Sequence, residues 1–228
     1  MAGSTGQLAD LVAQARRYGV RDEAVLAAIG TVPRQSFVPR RLASAAFDDG
    51  PLPIGEGQTI SQPAMVAMMA EAAQLGPEDR VLEVGAGSGY GALVLRALAG
   101  RVVTIERKPG LAGKARAALA GQGLGDVEVV VGDGTLGWPT EAPYDAIVVT
   151  AAGPEPPPPL LEQLAPGGRL VMPVGDRHNT QCLMRYTRTA ARLQDAGDPA
   201  PAEEYRAERL TTVRFVPLIG AHGFGADR

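Results

Sequence analysis

The chain predicts an α/β protein built on a mostly parallel sheet, and three observations carry that reading. From Asp79 onward, short apolar runs alternate with segments of helical periodicity, the pattern of strand–helix–strand units. Runs such as "RVVTIER", "VEVVVGDG" and "YDAIVVTAA" are rich in β-branched residues and apolar at nearly every position, as strands covered on both faces are. The first run ends in a cluster of glycines, "VLEVGAGSGYGA", where a strand must turn sharply into a helix.

The elements follow in order. "LADLVAQARRYG" and "DEAVLAAIG" have helical spacing, and Gly19 and Gly30 fall where helix C-termini favour glycine. "VPRQSFVPRRL" and "FDDGPLPIGEG" read as extended or turning chain, punctuated by Pro and Gly. "AMVAMMAEAAQL" is apolar nearly all round and is therefore expected to be a buried helix. Strand "RVLEVGAG", helix "YGALVLRALAG", strand "RVVTIER" and helix "LAGKARAALAGQG" come next. "VEVVVGDG" and "YDAIVVTAA" are buried strands, followed by "PPLLEQLAPGG" and the run "RLVMPVGD". The tail "LTTVRFVPLIG" reads as one more strand, and "TAARLQDAGDPAPAEEY" as a surface loop or short insertion.

Composition narrows the function classes. At 228 residues there is room for one substantial core or at most two small domains, and 45% apolar with 21% charged residues is ordinary for a globular protein. A net charge of −3 gives no electrostatic case for nucleic acid or an anionic membrane. Cys182 is the only cysteine, which excludes an intramolecular disulfide, and its apolar surroundings suit a buried small residue. His178 and His222 are the only histidines, and no cluster has metal-ligand spacing. "MAGSTGQLADLV" lacks the features of a signal peptide, and no run approaches the ~20 apolar residues of a membrane span. A cytoplasmic chain is expected.

In a doubly wound sheet, ligands bind at the carboxyl ends of the strands, where the glycine turn lies. Gly85, Gly87 and Gly89 let the backbone approach a ligand without a side chain between. A glycine-rich turn without a ligand is the bland account. Gly87-Ser88-Gly89-Tyr90-Gly91-Ala92 also fits the dinucleotide pattern G-x-G-x-x-A, a short fingerprint that a dehydrogenase shares. Two features favour S-adenosylmethionine. The glycines begin at Gly85, straight after the strand, and Asp133 ends the third strand where it can accept a hydrogen bond from an adenine amino group. Glu106, ending the second strand, suits a ribose in either case.

The segments "PRQSFVP", "PLPIGEGQTISQP", "VLEVGAGSGYGA", "VVVGDGTLGW", "YDAIVVTAA", "LAPGGRLVMPVG" and "VRFVPLIG" stand in one particular order, from about Val32 to Gly223. In that order the chain resembles the protein-L-isoaspartate (D-aspartate) O-methyltransferases. The cofactor segments are shared with many methyltransferases, whereas "GQTISQP" and "FVPL" are specific to this family. The resemblance implies a class I methyltransferase fold with a mostly parallel seven-stranded sheet. It implies one domain over 1–228, with a helical extension at 1–50, a cofactor-binding core at 51–189 and a C-terminal loop and closing strand at 190–228. Phe47 stands where relatives commonly carry Tyr, and Ala86 where Thr is frequent. The cofactor is expected to meet Thr59, Gln62, Glu83, Gly85, Gly87, Gly89, Glu106, Asp133 and Gly134.

"GQTISQP" has a bland account too, with Ser61 or Gln62 capping a helix and Pro63 in its first turn. Gln58 and Thr59 are not explained that way. A helix start beside a cofactor also offers amide donors to an anion, such as an isoaspartyl carboxylate. Methyl transfer to a carboxylate needs no general base, because a carboxyl of pKa ~4 is already ionised near neutrality. The missing His/Asp or Cys/His constellation therefore fits the reaction, and Ser61 is expected to orient the carboxylate as the catalytic residue. The resemblance adds that the methyl ester collapses to a succinimide, whose hydrolysis returns some normal aspartate. Isoaspartyl-containing proteins or peptides are the expected partners. A family member tailoring one dedicated peptide and a non-catalytic S-adenosylmethionine-binding protein are the alternatives.

Overall fold

The apolar runs assemble into a single seven-stranded sheet. A computed structural model describes residues 2–123, 126–189 and 204–225. Strands β3 (Arg80–Val84), β4 (Arg101–Glu106), β5 (Glu128–Val131), β6 (Tyr144–Val149), β7 (Leu164–Val174), β8 (Gln181–Arg188) and β9 (Tyr205–Val213) lie in the order β5-β4-β3-β6-β7-β8-β9. β5 through β7 are parallel, while β8 and β9 run antiparallel at the far edge. The sheet is thus mostly parallel, in an α/β fold with helices on both faces.

The chain moves outward from β3 to β4 and β5, then crosses back to place β6 on the other side of β3. That reversal leaves a crevice between the carboxyl ends of β3 and β6, the switch point where such sheets bind ligands. Leu82, Val103 and Ile147 are fully buried in the middle of the sheet, which is why these strands carry no alternation. Helices α4 (Tyr90–Arg96), α5 (Pro109–Ala120) and α6 (Pro158–Glu162) fill the connections.

Upstream of the sheet lie α1 (Ala2–Arg17), α2 (Glu23–Thr31) and three single 3₁₀ turns between Arg34 and Phe47. Gly19 has φ of +97° and ends the first helix as expected. Gly30 does not end the second. It lies inside α2, where a Cβ would stand 3.0 Å from the Val12 side chain, so its smallness serves helix–helix packing. Helix α3 (Pro63–Ala73) has no exposed residue, in keeping with its all-round apolar sequence.

The expected turning chain before α3 contains a hairpin that the periodicity does not reveal. Strands β1 (Leu52–Gly55) and β2 (Gln58–Ile60) pair antiparallel across Glu56 and Gly57. Those two residues have φ of +51° and +72°, the left-handed pair that a tight two-residue hairpin requires. The tail strand also differs from expectation. β9 begins at Tyr205 and stops at Val213, because the following chain leaves the sheet edge to run beside Ala152, exchanging hydrogen bonds through Val216 and Leu218. Nearly all of "TAARLQDAGDPAPAEEY" lies outside the described residues.

Candidate active site

Three cavities meet at the switch point. An inner one of about 100 Å³ is lined by Gln58, Gly85, Gly87, Glu106, Gly134, Thr150 and the stretch Val216–Ile219. A second, of about 50 Å³, lies beside it against Ser61, Glu83, Gly85, Tyr90, Gly91 and Thr150. The outer one is larger, about 680 Å³, and is bordered by Tyr18, Thr59, Ser61, Gln62, Thr150, Arg214 and Val216. Gly85 belongs to the first two, Ser61 to the second and third, and Thr150 to all three.

The glycine turn is shaped by what surrounds it. Gly85, Gly87 and Gly89 have φ of +101°, +53° and +90°, all in the left-handed region. A Cβ on Gly85 would meet Thr150 Oγ1 at 2.3 Å, where that hydroxyl donates to the carbonyls of Val84 and Gly85. A Cβ on Gly134 would meet Val84 Cγ1 at 2.4 Å. These positions hold the strand ends close together and keep the inner cavity free of side chains. The hairpin β1–β2 covers the turn, with Ile54 packed on Gly87 and Gln58 on the cavity wall.

Glu106 is nearly buried and accepts from the amides of Gly87 and Lys108, both at 2.9 Å. A carboxylate offers about four lone-pair positions, so two remain for a vicinal diol such as a ribose. Asp133 does not line the inner cavity; its neighbour Gly134 does. Its oxygens accept from the Thr135 amide and hydroxyl and, at 2.7 Å, from the Ala221 amide, which anchors the C-terminal turn. Burial alone raises the Asp133 pKa, but these hydrogen bonds outweigh it and hold the carboxyl below the ordinary carboxylate range. Thr59 and Gln62 line the outer cavity rather than the two beside the glycine turn. Thr59 is paired in the hairpin, and Gln62 Nε2 donates to Asp49 Oδ1 at 2.7 Å.

Glu83 lies 1% exposed beneath the turn, accepting from Thr104 Oγ1 at 2.6 Å. A Cβ on Gly91 would strike its carboxyl at 2.2 Å, so that glycine exists to make room for the acid. Burial pushes the Glu83 pKa up to about 8; the Thr104 bond works against this and the nearby Glu106 charge adds to it. A pKa raised on folding means that, between about 4.5 and 8, the unfolded chain has released a proton the folded chain keeps. Stability then falls as pH rises through that window, at most ~1.4 kcal/mol per unit. Glu83→Gln is expected to flatten this decline, measured as urea midpoints of both proteins from about pH 5 to 8. Parallel pH dependences in the two proteins would refute it.

The segment "GQTISQP" runs from β2 into the start of α3. Gln62 occupies the N-cap of α3 without a side-chain cap, and Ser61 Oγ makes no hydrogen bond among the described residues. Pro63 stands at the first helical position as expected. The helix start itself offers little to an anion. Pro63 has no amide hydrogen, Met65 and Val66 donate to the Gln62 carbonyl, and Ala64 is fully buried. Sequence reasoning did not assign Gln58 or Thr150 to the site. Both sit at strand ends facing the switch point, a signal that only the strand order makes visible.

A doubly wound sheet with a glycine cradle at its switch point and an acid at the end of the next strand is the architecture of nucleotide-binding α/β proteins, and similarity to known proteins places this one among the class I S-adenosylmethionine-dependent methyltransferases. The family model for protein-L-isoaspartate(D-aspartate) O-methyltransferase matches residues 7–223. A Protein-L-isoaspartate O-methyltransferase 1 of Rhodopseudomonas palustris (strain HaA2) is 56% identical over 208 residues, covering 91% of this chain and 80% of that protein. A counterpart in Methanoculleus marisnigri is 52% identical over 214 residues, or 94% of this chain and 91% of its own. A solved protein-L-isoaspartate O-methyltransferase superposes with a TM-score of 0.80 at 27% identity, over 95% of this chain and 67% of that one. A Plasmodium falciparum structure in complex with S-adenosyl-L-homocysteine shares the fold, with a TM-score of 0.73 at 24% identity over 92% and 96% of the two chains. The chain belongs to the protein-L-isoaspartate(D-aspartate) O-methyltransferase family. Its reaction is S-adenosylmethionine-dependent methylation of isoaspartyl carboxyl groups. Among the described residues, no helix is long and apolar enough to cross a membrane.

Proposed function

We propose that the outer cavity receives isoaspartyl segments of many damaged proteins, and that Ser61 aligns the free carboxylate at the junction with the cofactor cavities. The observation that carries this reading is the sharing of Ser61 and Thr150 between the outer cavity and the inner pair. S-Adenosylmethionine, when bound, supplies a methyl group on an electrophilic sulfonium sulfur. Glu106 would hold ribose hydroxyls with its two remaining acceptor positions, while Gly85, Gly87 and Gly134 leave room for the nucleoside. Glu83 would face the amino-acid end across the second cavity, and the remaining acceptor position of Asp133 suits an adenine amino group. Thr59 and Gln62 fit the peptide side better than the cofactor side, since both border the outer cavity.

The chain's own contribution to the step is alignment. The acceptor arrives already ionised, so no proton has to be removed from it. Holding reacting atoms in line can supply most of the barrier reduction. The outer cavity mixes the short hydroxyl side chains of Thr59, Ser61, Thr180 and Thr212 with apolar Pro51, Met65, Val213 and Phe215, and Arg214 is the one charged residue among the described lining. Such a lining discriminates little between flanking side chains, which suits repair of many sequences rather than service to one peptide. Methylation followed by succinimide formation and hydrolysis would return part of the damage to normal aspartate.

Ser61→Ala is the direct test. Loss of one hydrogen bond to a charged acceptor is worth ~1.5–3 kcal/mol, a roughly tenfold to hundredfold fall in turnover. Because Ser61 does not cap α3, stability is expected to stay within ~0.5 kcal/mol of the parent. Steady-state kinetics with an isoaspartyl peptide and thermal melts on the same preparation check both. Full turnover in the variant would remove Ser61 from the reaction.

A further inference from the structure

The segment "PRQSFVP" contributes Arg34, the largest fully buried side chain among the described residues, with 0% exposure. A buried guanidinium normally faces a carboxylate. This one faces carbonyls instead. Nη1 donates to Ala46 O at 2.6 Å, and Nη2 donates to Gly50 O and Ser61 O, each at 3.0 Å. The guanidinium carbon stands 6.0 Å from the centroid of the Tyr90 ring. Arg34 therefore gathers the last 3₁₀ turn, the loop entering the hairpin and the residue before Gln62 onto one cation. One residue further along, Gln62 Nε2 is fastened to Asp49 in that same loop.

A buried cation that the Asp48 and Asp49 charges favour only at a distance, with no direct ion pair, is poorly explained as a source of stability, because desolvation is costly and an apolar side chain would fill the volume. A planar fork supplies direction, reaching carbonyls that do not lie on one line, which an ammonium cannot reproduce. One of those carbonyls belongs to Ser61, so the fork fixes the peptide unit from which the Ser61 side chain projects. We propose that Arg34 is a positioning residue for methyl transfer. Together with the Asp49–Gln62 bond, it sets the Ser61 backbone so that acceptor alignment depends on it and cofactor binding does not. The inference rests on the reading of Ser61 given above.

The experiment compares Arg34→Lys, Ser61→Ala and the double variant in steady-state methylation of an isoaspartyl peptide. S-Adenosylhomocysteine affinity by calorimetry and thermal melting are measured on each. Displacing a reacting group by ~1 Å costs on the order of a hundredfold, so Arg34→Lys is expected to lower kcat by roughly tenfold to a hundredfold. S-Adenosylhomocysteine affinity is expected to stay within about twofold of the parent, well short of that loss. In the double variant, turnover is expected to match Ser61→Ala alone, since residues acting through one group are not additive. A purely structural role would lower the melting temperature, leave the turnover of folded enzyme intact and add independently to Ser61→Ala. Either intact turnover or multiplying effects would overturn the proposal. Full turnover in Ser61→Ala would instead defeat the reading on which it rests. Should Arg34→Lys not fold, Asp49→Ala cuts the exposed strap to the same backbone. It is expected to lower kcat with unchanged S-adenosylhomocysteine affinity, and unaltered kcat there overturns the proposal as well.

Discussion

Replacing Gly85 by alanine is expected to weaken S-adenosylhomocysteine binding by at least about a hundredfold, a loss of ~2.7 kcal/mol. Two costs combine. At φ of +101° an L side chain is strained by ~1–3 kcal/mol, and the new methyl would sit 2.3 Å from Thr150 Oγ1. That hydroxyl clamps the ends of β3 and β6 through Val84 and Gly85, so it cannot retreat without opening the switch point. Gly113→Ala is the control, because Gly113 is an exposed position of α5 with nothing within 4 Å of its Cβ position. That change is expected to stabilise the fold by ~0.5–1 kcal/mol and leave affinity alone. Calorimetric titration of both variants decides it. Parent-like affinity in Gly85→Ala would show that the nucleoside does not lie against this turn.

Substrate choice is expected to show an effect of similar size. In isoaspartate the chain runs through the side-chain carbonyl, and the free carboxylate sits directly on Cα. Normal aspartate carries it one methylene further out and shortens the backbone by one atom. With Ser61 aligning the acceptor at the cavity junction, as proposed, the acceptor oxygen would not follow that displacement. A shift of ~1 Å can cost on the order of a hundredfold, so isoaspartyl peptides should be preferred by at least that factor over matched aspartyl ones. The preference should hold across unrelated flanking sequences, with flexible peptides better than folded ones. Labelled methyl transfer to matched pairs, with product identity from mass spectrometry, measures it. Methylation of ordinary aspartate in one peptide alone, with isoaspartyl peptides ignored, would assign the chain to peptide tailoring.

The parts of the fold that were legible are those in which local chemistry agrees with tertiary placement. Val81 to Val84, Val102 to Ile105 and Ile147 to Val149 are buried on both faces, so their apolar sequence, broken only by Glu83 and Thr104, announces parallel strands. The glycine turn was legible because positive φ leaves few residue choices. The β1–β2 hairpin was not, since Pro53, Gly55 and Gly57 hide strands too short to show alternation. Gly30 misled because a helix stop and a close helix contact call for the same residue. Arg34 was invisible for a different reason: its sequence neighbours say nothing of the three carbonyls that surround it, and arginine is seldom fully buried. The segment "GQTISQP" pointed to the switch point, which its residues border, but not to how they divide between the cavities. Gln58 faces one ligand space while Thr59 and Gln62 face another, and that split depends on the hairpin's pleat.

Val216 lines both the inner cavity and the outer one, and the residues on either side of it are divided between them. A single length of extended chain, tied to Ala152 on one side and anchored through Ala221 to Asp133 beyond, thus forms a party wall between two tenants. Such a wall restricts how the enzyme can diversify. On the proposed placement of peptide and cofactor, a substitution that reshapes the outer side would also move the backbone lining the inner cavity, so broadening of substrate taste is tethered to retention of the methyl donor. Variation escapes that tether most readily at the opposite rim, where exposed Tyr18 borders the outer space and touches neither inner cavity.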